Sequence, residues 1–281
     1  MRKAVIPVTA LVLLAALVAP VIQSQGLAGA VRKMRTDFIA LRCLQDASAA
    51  ATQPPLDRDL ARRRLQRALE LAPDEPTIAA TAPGLFVAIG AYPAATNAMA
   101  RAGAPDPLLW GEALLMLGHR REGLQVLLDH ARRVQGEYQA HMRPDEDYAM
   151  ELNNIGYTLA NAGVALDEAK SLLEQATTIL PLEPNCIDSL GWVYYRLGDF
   201  RKAAFYLERA VRLQPAPGAP ELLYHLGAAY SRSGNPARAR DALLSALALD
   251  PQNPEALHEL QTLGWELPAP AIASGERSPT G

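Results

Sequence analysis

The chain has 281 residues, 49% of them hydrophobic and 20% charged, which is enough apolar material for one large domain or two small ones. Its formal net charge of −3 leaves no basic stripe to neutralise a phosphate backbone, so no nucleic-acid partner is expected. Cys43 and Cys186 lack any Cys-x-x-Cys or Cys/His spacing, so they read as small buried residues rather than a zinc or redox site; their pairing stays open.

In chain order, MRK is followed by AVIPVTALVLLAALVAPVI, an uncharged apolar run from Ala4 to Ile22. Its length suits a membrane-spanning helix of about 17 to 25 residues. The small residues of Leu27-Ala28-Gly29-Ala30 also suit signal-peptidase cleavage, so residues 1–30 read as a retained anchor or a cleaved signal. Arg2 and Lys3 favour a cytoplasmic N-terminus and an extracytoplasmic body, opposed by Arg32, Lys33 and Arg35. The expectation is membrane contact through residues 4–22, with soluble export as the alternative.

Residues 31–134 carry three weak helical patterns. LARRRLQRALELAP (60–73) reads as a helix with Ala61, Leu65 and Ala68 in register before Pro73, set apart from what precedes it by ASAAATQPP. In 78–103, Gly90, Ala95, Met99 and Ala102 fit a helix pair, with a kink expected at Pro83 and Gly84. In 108–131, Trp110, Gly111 and Gly118 fall in place. The polar stretch QGEYQAHMRPDED (135–147) reads as a longer loop or hinge, giving a linker over 135–148.

The strong signal lies in 149–264. LNNIGYTLANAG, IDSLGWVYYRLG and LYHLGAAYSRSG align so that Gly156, Gly191 and Gly227 correspond, as do Gly163, Gly198 and Gly234. Each copy continues with a small residue (Ala169, Ala203, Ala239), then Leu173, Leu207 or Leu243, then Ala176, Ala210 or Ala246, and closes on Pro181, Pro215 or Pro251. Apolar residues three and four apart mark two amphipathic helices, the second glycine breaks the chain between them, and proline ends the unit. The first copy holds one extra residue after Gly163. EALHELQTLGW follows Pro254 as a capping helix, and residues 265–281 read as a disordered tail.

This order of marks resembles the tetratricopeptide repeat family. The resemblance implies an all-α fold, a right-handed α-solenoid of helix-turn-helix units, here behind a hydrophobic N-terminal helix. Leu152, Ile187 and Leu223 stand where the family has its early tryptophan, an apolar replacement.

No catalytic constellation stands out: there is no H-E-x-x-H, no G-x-S-x-G and no phosphate-binding glycine loop. His119, His130 and His141 recur every eleven residues, but glycines and loop signals interrupt the helix a metal site would need. A non-enzyme without cofactor, metal or small-molecule substrate is expected. Leu190, Gly191 and Tyr194 fall on the core side of the first helix of their unit. Asp188, Trp192, Tyr195 and Arg196 recur at helical spacing on the other side. The same offsets select Asn153, Tyr157 and Asn161 before them, then Tyr224, Ala228 and Arg232, with His258 on the cap. In the family this side lines a concave protein-binding groove, so the expected partner is a protein or peptide segment. The lysine-and-asparagine clamp for a C-terminal carboxylate is not reproduced. The competing readings are a spacer or self-assembly module, and an accessory subunit positioning substrates for a separate enzyme.

Overall fold

The computed structural model describes residues 8–53, 56–103, 105–215 and 218–265. Among them the chain forms thirteen α-helices and no strand: α1 (Val8–Thr52), α2 (Arg58–Leu71), α3 (Pro76–Ala88), α4 (Tyr92–Ala102), α5 (Pro107–Met116), α6 (Arg120–Gln139), α7 (Asp145–Ala162), α8 (Leu166–Ile179), α9 (Pro184–Arg196), α10 (Phe200–Leu213), α11 (Pro220–Arg232), α12 (Pro236–Leu249) and α13 (Pro254–Thr262). They divide into two compact units, one reaching Leu109 and the other running from Trp110 onward and including Leu56.

In the first unit α1 packs on α2 through small residues, with Ala40, Ala47, Ala61, Leu65 and Ala68 all fully buried. Alanine at these places lets the two backbones approach closely. Asp57 caps α2, its carboxylate accepting the Leu60 N–H at 2.8 Å, and Glu75 does the same for α3 through Ile78 at 2.9 Å. Helix α1 continues through 47–52, the alanine-rich stretch expected to separate helices, because alanine is the best helix former and the break comes only at the prolines that follow. α3 also continues through Pro83, which is buried within it. The apolar run Ala4–Ile22 and the tail beyond Trp265 lie outside the residues whose side chains are described. Among the described residues no helix is long and apolar enough to cross a membrane, so the expected anchor gains no support here.

The second unit repeats one contact four times. A Cβ added at Gly111, Gly156, Gly191 or Gly227 would stand 2.6–2.7 Å from Cγ of Leu127, Leu173, Leu207 or Leu243 respectively, closer than carbon atoms pack. Each glycine therefore lets the second helix of a pair seat its leucine against the backbone of the first. Leu127, Leu173, Leu207 and Leu243 are completely buried. The turn glycines Gly118, Gly163, Gly198 and Gly234 all adopt positive φ, the left-handed ending that stops the first helix. The extra residue after Gly163 is absorbed by Ala165, which also turns left-handed at φ 47° and so keeps Leu173 in register. Pro181, Pro215 and Pro251 each stand just beyond α8, α10 and α12, where the helix can no longer continue.

Two boundaries differ from expectation. α6 runs on to Gln139, because Gln135, Glu137, Tyr138 and Gln139 extend its helix and Arg133 and Arg143 both hold Glu137, at 2.8 and 2.7 Å; the connection to α7 is short. Trp265, expected to begin the tail, packs against the cluster of Leu243, Leu247, Ala256 and Leu260 that closes the last pair. Cys43 and Cys186 are both free and buried.

Candidate functional site

The side of α5, α7, α9 and α11 opposite their packed glycines, with α13 beside it, carries the buried polar residues Asn153 and His225. The residue after each packed glycine is Glu112, Tyr157, Trp192 or Ala228, so these four recur at one register.

The centre is an aromatic stack. Trp192 lies between Tyr195, centroids 4.7 Å apart and planes 5° apart, and His225, at 4.1 Å and 19°. Tyr224 meets it obliquely at 5.8 Å, and the Arg196 guanidinium lies 5.9 Å from its ring. With only 4% of its surface exposed, Trp192 is interior, and its indole Nε1 has no hydrogen-bond acceptor among the described residues. Asn153, one turn before Tyr157, is buried to the same extent, and its Oδ1 has no donor.

Side-chain hydrogen bonds tie the first helices of different pairs together. His225 Nδ1 donates to Asp188 Oδ1 at 2.8 Å, linking α11 to α9. Ser231 Oγ donates to Glu259 at 2.6 Å, linking α11 to α13. The Tyr157 hydroxyl donates to the Glu221 carboxylate and so joins α7 to α11, past the intervening α9. Arg196 donates to the Asn161 carbonyl.

The electrostatics of this side are acidic. Burial, then repulsion from Glu221, pushes the Glu112 carboxyl up to about 7. Burial raises the Tyr157 hydroxyl well above its ordinary value, helped by Glu221, Asp188 and Glu112. Burial pulls His225 down, but Asp188, Glu221 and Glu255 outweigh it and leave the imidazole more basic than usual. Burial also raises Tyr224 and Tyr195, with Glu259 acting on both. Among the described residues no Lys or Arg side chain pairs with Glu112, Asp188, Glu221, Glu255 or Glu259.

Residues 189–254 match the family profile described as "Tetratricopeptide repeat". The glycine–leucine contact and left-handed turn of those residues recur at equivalent places in the pairs on their N-terminal side. Over that stretch, residues 189–254, the chain carries tetratricopeptide repeats. It is 39% identical over 83 residues to the TPR repeat-containing protein PA4667 of Pseudomonas aeruginosa PAO1, a match covering 30% of this chain and 14% of that protein. Among solved structures it is similar to BtubC of P. vanneervenii (15% identity, 89% of this chain and 99% of that one, TM-score 0.38). It is similar also to TTC0263, a TPR protein of Thermus thermophilus (18%, 82% and 98%, TM-score 0.37).

Against the tetratricopeptide register, the expected surface residues divide. Tyr157, Asp188, Trp192, Tyr195, Arg196 and Tyr224 come together around the aromatic stack. Trp192 and Asn153 differ from open surface residues: both are buried, because His225 and Tyr195 cover the indole faces and neighbouring helices enclose the amide. Asn161 is half-buried and enters through its backbone carbonyl. Arg232 is exposed and lies over the Phe200 ring at 4.8 Å, while exposed His258 takes no part in the stack. His225, Glu221 and Glu112 were not singled out from the sequence. Glu112 was within reach, since it follows Gly111 as Tyr157 follows Gly156. Near His130, the ring bonds to Glu151 and accepts from Arg133 at 2.7 Å, so it ties α6 to α7. Among the described residues no group of three metal-ligating side chains assembles.

Proposed function

We propose that the second unit is a non-catalytic recognition module whose polar–aromatic side, on the first helices of successive tetratricopeptide pairs, binds an extended protein segment. The observation that carries this reading is that two buried polar atoms on this side, Asn153 Oδ1 and Trp192 Nε1, have no partner among the described residues. Isolated polar atoms of this kind are rare in packed interiors, and aromatic residues such as Trp192 and its neighbours are enriched among those that dominate protein binding. The half-buried Tyr195 and Tyr224 supply contact area at little rotamer cost. The apolar run Ala4–Ile22 favours a module held at, or exported across, a membrane, and we propose that the repeats work on its extracytoplasmic side.

Site-specific photo-crosslinking in native cells tests the surface. A photoreactive residue placed at exposed Arg232 or His258 is expected to trap one discrete protein, while the same residue at exposed Phe205, on the second helix α10, traps none. Products from Phe205 alone would sink the assignment, and concentration-dependent self-products at every position would favour the self-assembly module.

A further inference from the structure

The hydrogen-bond inventory of this side is lopsided. Four of its donors are committed to groups within the chain: the Tyr157 hydroxyl to Glu221, His225 Nδ1 to Asp188, Ser231 Oγ to Glu259, and Arg196 to the Asn161 carbonyl. Acceptors remain in excess. Glu112 and Glu255 make no side-chain hydrogen bond among the described residues, the Asn153 Oδ1 has no donor, and Asp188, Glu221 and Glu259 each have free lone pairs beyond their single partners.

Charge is equally one-sided. Five carboxylates from α5, α9, α11 and α13 act on Tyr157, Tyr224 and His225. The cations on the same helices are His225, already paired, and Arg196 and Arg232, which lie over the Trp192 and Phe200 rings. Glu112 and Glu221 repel one another, and no lysine or arginine side chain of the described residues pairs with either. A surface with unbonded acceptors and uncompensated carboxylates is completed by a ligand that brings donors and positive charge. Trp192 Nε1 is a buried donor without an acceptor among the described residues.

Resting on the recognition reading above, we propose that this side receives an extended cationic protein segment, its lysine or arginine side chains reaching Glu112, Glu221 and Glu255 across α5, α11 and α13. Three carboxylates on three helices impose a spacing on the ligand, which distinguishes recognition from attraction to a protein that is merely acidic overall.

The test uses the full chain and fluorescein-labelled extended peptides of alternating lysine and serine, with glutamate-for-lysine and glutamine-for-lysine counterparts, followed by anisotropy at rising salt. The lysine peptide is expected to bind saturably and more weakly as salt rises, and the two counterparts not to compete. Glu112→Gln/Glu221→Gln/Glu255→Gln should weaken it by about tenfold or more. Neutralising exposed carboxylates outside this side, Glu122→Gln/Asp241→Asn, should change it by less than about twofold. Equal binding of all three peptides, an unaffected triple variant, or an equal loss in the control variant would each overturn the proposal. Should the triple variant melt early, Glu112→Gln/Glu255→Gln keeps the test alive, since neither side chain holds a described hydrogen bond. A discrete native crosslink through Arg232 with no preference for lysine would overturn the charge inference alone and leave recognition standing.

Discussion

The two units use the same helix-pair grammar with different joints. In the second unit a glycine stands seven residues before each turn glycine, and a leucine packs into the space it leaves: Gly111, Gly156, Gly191 and Gly227 all follow this rule. In the first unit the residue seven before Gly90 is Pro83, and Met99 stands where the leucine would be. Proline carries a ring in the place where the other pairs need no side chain at all, so a stiff branched leucine would not fit against it. Unbranched Met99, 2% exposed, adapts its shape to the gap. A repeat can thus lose its signature residue and keep its architecture, provided the facing residue is flexible enough to absorb the change.

Substitutions can break that comparison at its strongest point first. Trp192→Ala should cost about 4 kcal/mol in urea unfolding of the second unit, since it removes a fully enclosed indole stacked on both faces. A loss under about 1 kcal/mol would mean the stack is not formed. Leu207→Ala should cost about 3 kcal/mol, more than Met99→Ala, because the rigid glycine joint cannot collapse around the cavity. Gly191→Ala should destabilise by about 1 to 3 kcal/mol despite alanine's better helix propensity, because the new methyl meets Leu207. Pro83→Ala should leave the first unit as stable or more so, which calorimetry resolving two transitions would read directly.

A further effect is one of pH. Glu112 titrates near 7 in the folded protein against an ordinary 4.5, so folding favours its protonated form. That contribution is complete below pH 4.5 and is lost as pH rises through about 7. Melting temperatures of the second unit should therefore fall across this window, and Glu112→Gln should flatten the slope. His225, also raised, contributes in the same sense, present below its ordinary 6.5 and lost as pH rises through its folded value, so some slope should survive in Glu112→Gln.

The sequence made the helix pairs, their turns and their buried leucines readable because each depends on residues close in the chain: a glycine and a leucine about four turns on, a second glycine between them, a proline after. Even the one-residue insertion after Gly163 was visible, and Ala165 alone takes it up. The burial of Trp192 was not readable. It depends on His225, in the next helix pair, and whether an aromatic on the outward register meets a partner or open space is decided by how neighbouring pairs stack. The same holds for Tyr157 and Glu221, whose bond skips a helix. Helix ends were less legible than helix existence, as α6 shows by continuing where polar residues suggested a loop.

That skipped helix has a consequence for how the array comes apart. Repeat arrays whose units touch only their immediate neighbours unravel from the ends, each unit adding its own small step. The Tyr157–Glu221 bond instead fastens α7 to α11 over α9, and Asp188–His225 holds the middle helix to the same staple. Fraying from the C-terminal cap is therefore expected to slow at α11, with the stretch from α7 to α11 opening together. Amide hydrogens in α9 and α11 should exchange with a single shared protection, and Tyr157→Phe should split that block into separately opening turns.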